Sequence, residues 1–596
     1  MAREDVASLV CATDAGREGE LIFRLVYHKA GCRKPFERLW ISSMEDVAIK
    51  EGFENLRSGT EYDALYEAAL CRERADWIVG INATRLFSTL YGQTLNVGRV
   101  MTPTLAMAVM REAAISAFKP ELFYTVQIGL DGFTAASERF KTKAAAEAVK
   151  QSCSVAIVQK AECKEKTEKP PALYDLTSLQ REANRVLGYT AQQTLDYTQN
   201  LYEKKLVTYP RTDARVLSTA AAKEIYKNIS GLRNYEHTAE IAQHIIEQGN
   251  YKNLAKTRYV NDKQITDHYA IVPTGQGLNA LRSISLTAQR VYETIVRRFV
   301  CIFYPPAVYQ KISLVTKIQN ESFFSSFKVL LNEGYLKVAT NSFAKRKSAD
   351  AMSSVNRAGA AGNEGSEEED PDTGKNGGNK ADDSAEDMAC DIRLLAALQN
   401  LKKGDILSVD SLSIKEGETS PPKRYNSGSM ILAMENAGQL IEDEELRAQI
   451  KSCGIGTSAT RAEILKKLCN IKYLALNKKT QVITPTLLGE MIFDVVNCSI
   501  RQLLNPELTA SWEKGLNYVA EGSITEQEYM DKLEHFVRLR TRQVEDSNIQ
   551  PYLRQFFDAA AVNYKDSSEK NSAKTTGRST SATGRSRTCR KPSASK

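Results

Sequence analysis

Residues 12–23 read ATDAGREGELIF, which sets Asp14, Arg17, Glu18 and Glu20 around Gly16 and Gly19, directly after the mostly apolar run 8–12. An apolar run that ends in acidic residues and glycine predicts a strand entering a loop. Beyond it Leu21, Ile22, Leu25 and Val26 recur at helical spacing, predicting a helix that buries those four on one face. Acidic side chains at a strand end commonly hold a hard cation, whose preferred donors are carboxylate oxygens. The stretch therefore predicts an α/β unit with a metal-binding loop, and it leaves open why glycine occupies position 16.

The rest of the chain bounds what surrounds this unit. Its 596 residues exceed one core and suggest about three to five domains. The apolar fraction of 42% is ample for burial. No run of uncharged apolar residues is long enough to span a bilayer, and the N-terminus runs at once into Arg3, Glu4 and Asp5, so neither a membrane span nor a signal peptide is expected. A cytoplasmic location is the resulting expectation. Eleven cysteines without a CxxC pair, and five histidines, disfavour a zinc ribbon. The absence of a GxxxxGK[ST] loop argues against intrinsic ATP hydrolysis.

Charge is unevenly spread. The tail 565–596 carries nine Lys/Arg against Asp566 and Glu569, whereas 350–389 carries eleven Asp/Glu against three cations. A basic body with a strongly basic tail suits a polyanion such as nucleic acid. Residues 348–388 are nearly devoid of large apolar side chains and, with the Ser/Thr/Lys/Arg tail from about 565, are expected to be disordered. Elsewhere 61–90 reads as a helix carrying Arg72, Arg74 and Arg85, while 123–158 and 300–338 alternate as strands. Two strand-rich pieces around a helical block predict one sheet domain interrupted by another domain. Within that block Thr190, with Gln193 three residues on, predicts a capped helix running to Lys205. The helix SATRAEILKKLCN is followed by the short strands KYLAL and TQVIT, a helix with a two-stranded wing.

Residues 204–218, KKLVTYPRTDARVLS, supply a candidate nucleophile. If this stretch is extended, Tyr209 and Arg211 point to the same side. A phenol attacks poorly unless a nearby charge eases its ionisation, and Arg211 is placed to do that and to stabilise an attacked phosphate. A buried tyrosine beside a surface arginine is the other reading of an isolated Y-x-R.

Taken together, ATDAGREGELIF, NVGRVMTPTLAM, KPPALYDLTSLQREAN, LVTYPRTDARVLS, TDHYAIVPT, TSPPKRYNSGSMILAMENAG, GIGTSATRAEILKKL and PELTASWEKGLNYVAEG resemble the ordered signature series of type IA DNA topoisomerases, most nearly the bacterial topoisomerase III branch. The resemblance runs from about residue 6 to about 545. It implies a multidomain toroid of α/β and α domains. These would be a partial Toprim domain (1–60), a helical base with a single-strand groove (61–118 and 415–545), a β-rich arch (119–173 and 300–414), a winged-helix-like helical domain with the catalytic tyrosine (174–299) and a C-terminal extension (546–596). It further implies ATP-independent cleavage of one DNA strand by Tyr209 through a 5′-phosphotyrosyl bond, strand passage and resealing, by a monomer.

By motif, Arg211 and His268 would serve the attacked or neighbouring phosphate, and Glu18 would be catalytic. Arg99, Thr457, Ser458, Thr460 and Arg461 would contact DNA. The opening stretch matches the Toprim metal motif D-x-D-x-E, except that Gly16 replaces the middle acid. Asp14 and Glu18 are accordingly expected to hold a single, weaker Mg²⁺ site. The family also places a catalytic glutamate on a strand upstream of Asp14, which the first dozen residues here do not contain, and Glu4 lies too near Asp14 to serve. The second expectation is therefore a catalytically impaired, DNA-binding remnant. A DNA-nicking relaxase is a third, disfavoured by the lack of a paired-histidine motif.

Overall fold

The computed structural model describes residues 1, 3–41, 46–151, 155–265, 267–344, 387–388, 392–450 and 454–572. The disorder expected of 348–388 falls almost wholly outside these residues, whereas the first part of the tail, 565–572, departs from that expectation and closes a helix that runs to Ser572. The N-terminal unit is a three-stranded sheet in which β1 (Leu9–Cys11) feeds helix α1 (Arg17–Lys29) and returns as a parallel neighbour, β2 (Phe36–Arg38). Helix α2 (Asp46–Glu54) leads to the antiparallel β3 (Arg57–Ser58). Strand, acidic loop and helix fall where the sequence predicts them.

The buried face of α1 does not. Leu21 is buried, but Ile22, Leu25 and Val26 are exposed, while Glu20 and Arg24 lie inside. The reason is compensation of charge. Arg24 Nε donates to Glu20 Oε1 at 2.8 Å, Arg38 Nε lies 3.1 Å from Glu20 Oε2, and Arg24 also reaches Asp63 at 2.7 Å. A buried carboxylate with two guanidinium partners escapes most of the desolvation cost that drives lone charges to the surface.

Helices α3 (Asp63–Tyr91) and α4 (Met101–Ala117) begin the helical base. The chain then enters a sheet through β4 (Leu122–Leu130), β5 (Phe133–Ser137), α5 (Lys143–Gln151) and β6 (Val155–Glu168). It leaves this sheet for five helices, α6 (Leu176–Leu187), α7 (Ala191–Glu203), α8 (Thr219–Leu232), α9 (Ala239–Gln248) and α10 (Leu286–Cys301). It returns through β7 (Ala307–Ile318), β8 (Glu321–Asn332), the short α11 (Leu336–Ala339), β9 (Asp387–Met388), α12 (Ile392–Asn400) and β10 (Ile406–Glu418). The strands form one sheet in the order β5-β4-β10-β6-β7-β8-β9, and β8 also pairs with β5, so the sheet closes on itself. Its last β6 pair, Glu168 with Ala307, joins the points where the helical block is entered and left.

The block and the sheet have separate cores. One gathers Leu173, Leu195, Val207, Val272 and Tyr292, the other Val126, Ile128, Phe323 and Phe327. Capping boxes start α6 at Asp175 with Ser178, and α7 at Thr190 with Gln193. The remaining elements complete the base. They are α13 (Ser427–Glu435), α14 (Glu444–Ile450), α15 (Ser458–Asn470), the wing strands β11 (Leu474–Leu476) and β12 (Ile483–Pro485), α16 (Leu487–Ser499), α17 (Pro506–Ala520), α18 (Glu526–Glu545) and α19 (Gln550–Ser572). A third core unites α3, α4 and these elements through Phe87, Leu105, Met434, Leu468 and Leu516.

Candidate active site

Arg38 organises the loop that carries Asp14. Fully buried, it donates to the carbonyls of Cys11 at 3.0 Å, Thr13 at 2.8 Å and Asp14. One planar guanidinium with five donors can close a carboxylate and several carbonyls at once. The backbone at Asp14 is thereby fixed to the strand end.

The tyrosine arrives from the helical block. Thr208 N–H donates to the Val272 carbonyl at 3.0 Å, Val272 N–H returns a bond to the Thr208 hydroxyl at 2.9 Å, and the Thr212 hydroxyl donates to the His268 carbonyl at 2.7 Å. Two irregular segments are thus laced together, and the rings of Tyr209 and His268 meet with centroids 4.3 Å apart. Tyr202, at the end of α7, packs edge-on against Tyr209 at 5.4 Å. His268 Nε2 lies 3.4 Å from Asp14 Oδ1, so the sequence-distant Tyr209, His268 and Asp14 form one row across the boundary between block and N-terminal unit.

The contact with His268 holds the Asp14 carboxyl below the usual carboxylate range. Burial, and then the negative charge of Asp14, raise the Tyr209 phenol, while the exposed Arg211 pulls the other way. Burial also raises the Asp267 carboxyl, with Asp14 and Asp213 adding to the effect.

Glu18 does not join this row. Its carboxylate is largely exposed and takes a 3.2 Å contact from Arg72. Arg99 is buried rather than lining a groove, with Asp76 at 2.5 Å and Glu513 at 3.0 Å. Glu513 also meets Arg17 at 3.2 Å and Arg72 at 3.7 Å, and despite its burial these guanidinium groups keep its carboxyl low. Among the described residues no three His, Cys, Asp or Glu side chains form a ready cage for a metal. Magnesium often takes only one or two carboxylates and keeps its waters, so the oxygen donors beside Gly16 suit it chemically.

The GIGTSATR segment starts α15. Gly454 adopts φ +61°, and a Cβ there would meet the Met434 carbonyl oxygen at 2.3 Å, so only glycine fits. Thr457 and Thr460 form a capping box, Thr460 is exposed and Ser458 is buried. Arg461 is buried and ties the base to α6, donating to the Thr177 hydroxyl at 3.1 Å with Glu435 at 3.8 Å.

Burial and the charge of Asp175 push the Glu435 carboxyl up, with Asp213 adding and Arg461 and Arg181 opposing. Asp175 is itself raised by burial against the pull of Arg215. A carboxyl whose pKa rises on folding favours the folded state at low pH. That advantage falls away as pH climbs from the unfolded value of about 4.3 through the raised one. The docking of α6 on the base should therefore loosen between about pH 4 and pH 7. Amide exchange in α6 should quicken over that range, and Glu435→Gln should flatten the profile.

Comparison with known proteins fits this arrangement. A profile of the DNA topoisomerase family matches residues 60–367 and 378–531. The DNA topoisomerase 3 of Bacillus licheniformis is 35% identical over 559 residues, covering 92% of this chain and 70% of that one. That of Bacillus subtilis (strain 168) is 36% identical over 562 residues with the same coverage. Full-length topoisomerase I from Thermotoga maritima superposes with a TM-score of 0.61 at 22% identity, over 90% of this chain and 78% of that one. The fold is that of a type I topoisomerase. The chain belongs to the DNA topoisomerase family, where it is a type IA, topoisomerase III-like member and so an isomerase acting on DNA.

Arg38, Asp267 and Glu513 escaped the sequence reading, and Glu20 was named only as one acid of the opening stretch. Glu513 lies within the quoted motif PELTASWEKGLNYVAEG, which was the available signal. Nothing in the local pattern distinguishes Arg38.

Proposed function

We propose that Tyr209 attacks a phosphodiester of a single DNA strand. The Tyr209 Oη–phosphorus bond forms, the bond from phosphorus to the 3′-oxygen breaks, and the strand's 5′-phosphate stays on the protein until the 3′-hydroxyl returns. The observation that carries this reading is the row Tyr209–His268–Asp14, which brings one tyrosine of 25 against a histidine and an acid from another domain. Arg211 places positive charge near the phenol, and His268 presents its imidazole ring to it, where the attacked phosphate gathers negative charge. Energy conserved in the phosphotyrosyl bond removes any need for ATP, in keeping with the missing phosphate loop.

Asp14 and the neighbouring carboxylates belong to a Toprim-like site for magnesium, with Glu18 held outside it by Arg72. A bound magnesium ion supplies positive charge that orients the phosphates of the parted strand. Thr457 and Thr460 at the start of α15 face the strand path, while Arg99 and Arg461 support its walls from within. Contacts of this kind position phosphates without reading bases. A cytoplasmic monomer that relaxes or decatenates DNA completes the reading.

The test is direct. After incubation with single-stranded oligonucleotide and rapid denaturation, mass spectrometry should find a 5′-nucleotide on the peptide containing Tyr209. Single-strand binding without any adduct would instead favour the impaired remnant.

A further inference from the structure

Gly16 has no conformational reason to be glycine. Its φ of −173° and ψ of 179° are extended backbone open to any residue. Space supplies the reason. A Cβ on residue 16 would lie 2.9 Å from Oδ1 and 3.1 Å from Oδ2 of Asp267, so any side chain there would push the Asp267 carboxylate out of its present place. Asp267 belongs to the helical block that carries Tyr209, and Gly16 to the N-terminal unit. A carboxylate from across the interdomain boundary thus occupies the volume that a side chain at position 16 would fill.

We propose that Asp267 is the second carboxylate of the divalent-cation site, supplied by the tyrosine-bearing block to work with Asp14 in place of an acid at position 16. This rests on the reading of the N-terminal unit as a magnesium site. The charged groups facing Asp267 are His268, Asp14, Asp213 and Arg38. Two of these four are further carboxylates, and the histidine is already engaged with one of them, Asp14. A hard cation between Asp14 and Asp267 relieves the repulsion of two carboxylates, and two protein oxygens suffice for magnesium. Because the donors sit on different bodies, the site is complete only while the block is closed on the N-terminal unit. Cation affinity and closure are then linked, and each strengthens the other by the same factor.

The test uses the full chain and Mn²⁺, with the free ion followed by electron paramagnetic resonance. The unsubstituted protein binds Mn²⁺. Asp267→Asn and Asp14→Asn are each expected to weaken binding about tenfold or more, and Gly16→Asp combined with Asp267→Gly, which moves the carboxylate to residue 16, should recover it. The urea midpoint of Asp267→Asn should be unchanged or raised, since removing a charge from among carboxylates does not loosen the fold. Asp267→Asn that binds Mn²⁺ as tightly as the parent, or that loses binding only together with a lowered midpoint, overturns the inference. A parent chain that takes up no Mn²⁺ overturns the magnesium reading and this one with it, while the adduct experiment on Tyr209 remains a separate test of strand cleavage.

Discussion

Tyr209→Phe is expected to yield no covalent complex with single-stranded DNA, a fall on the order of 10⁴-fold or more from the parent, because only the attacking oxygen is removed. The phenyl ring keeps its packing against His268 and Tyr202, so single-strand binding should be retained. Tyr202 stands near enough to serve as an internal control. An adduct that persists in Tyr209→Phe and vanishes in Tyr202→Phe would move the nucleophile to α7. The environment also sets a pH dependence. Burial and Asp14 disfavour the phenolate, so the cleavage rate should climb as pH rises above neutrality toward the raised value of the phenol. Arg211→Gln removes the charge that opposes this shift and should carry the profile to still higher pH, as read by rapid-quench measurement of the adduct.

The second large effect belongs to Arg38. Arg38→Met strands three carbonyls and leaves Glu20 with one partner fewer inside the protein, and truncating one side of a buried ion pair typically costs about 3–5 kcal/mol. Replacing both members, Glu20→Met with Arg38→Met, should recover much of that loss, since Arg24 keeps Asp63 and the Gly59 carbonyl. Trp40 offers the probe, since it stacks on Tyr62 at 5.0 Å and lies beneath Arg38. With Trp77 and Trp512 replaced by Phe, its fluorescence should show the N-terminal unit unfolding at lower urea in Arg38→Met. An unchanged midpoint would show that Arg38 is not what holds the loop.

What the sequence discloses follows from range. Strand, loop and α1 are legible because an apolar run and the acidic, glycine-containing loop after it act within a few positions, as does the capping box at Thr190. Tyr209 stands out through the company of motifs rather than through its own surroundings. The buried side of α1 is misread because hydropathy assigns Glu20 and Arg24 to water, and it takes Arg38 on β2 and Asp63 on α3 beside their own pairing to make their burial tolerable. The burial of Arg99 is not legible either, since one of its partners, Glu513, lies 414 residues along the chain. Gly16 gives no sign of its cause, because the group that needs the space is Asp267.

The entry and exit of the tyrosine-bearing block stand opposite one another, Glu168 against Ala307, at the end of two long antiparallel strands. The block is therefore a chain segment whose ends are fastened together before it begins. It can acquire its own core without waiting for the base to form, and its removal would leave a hairpin rather than a tear in the sheet.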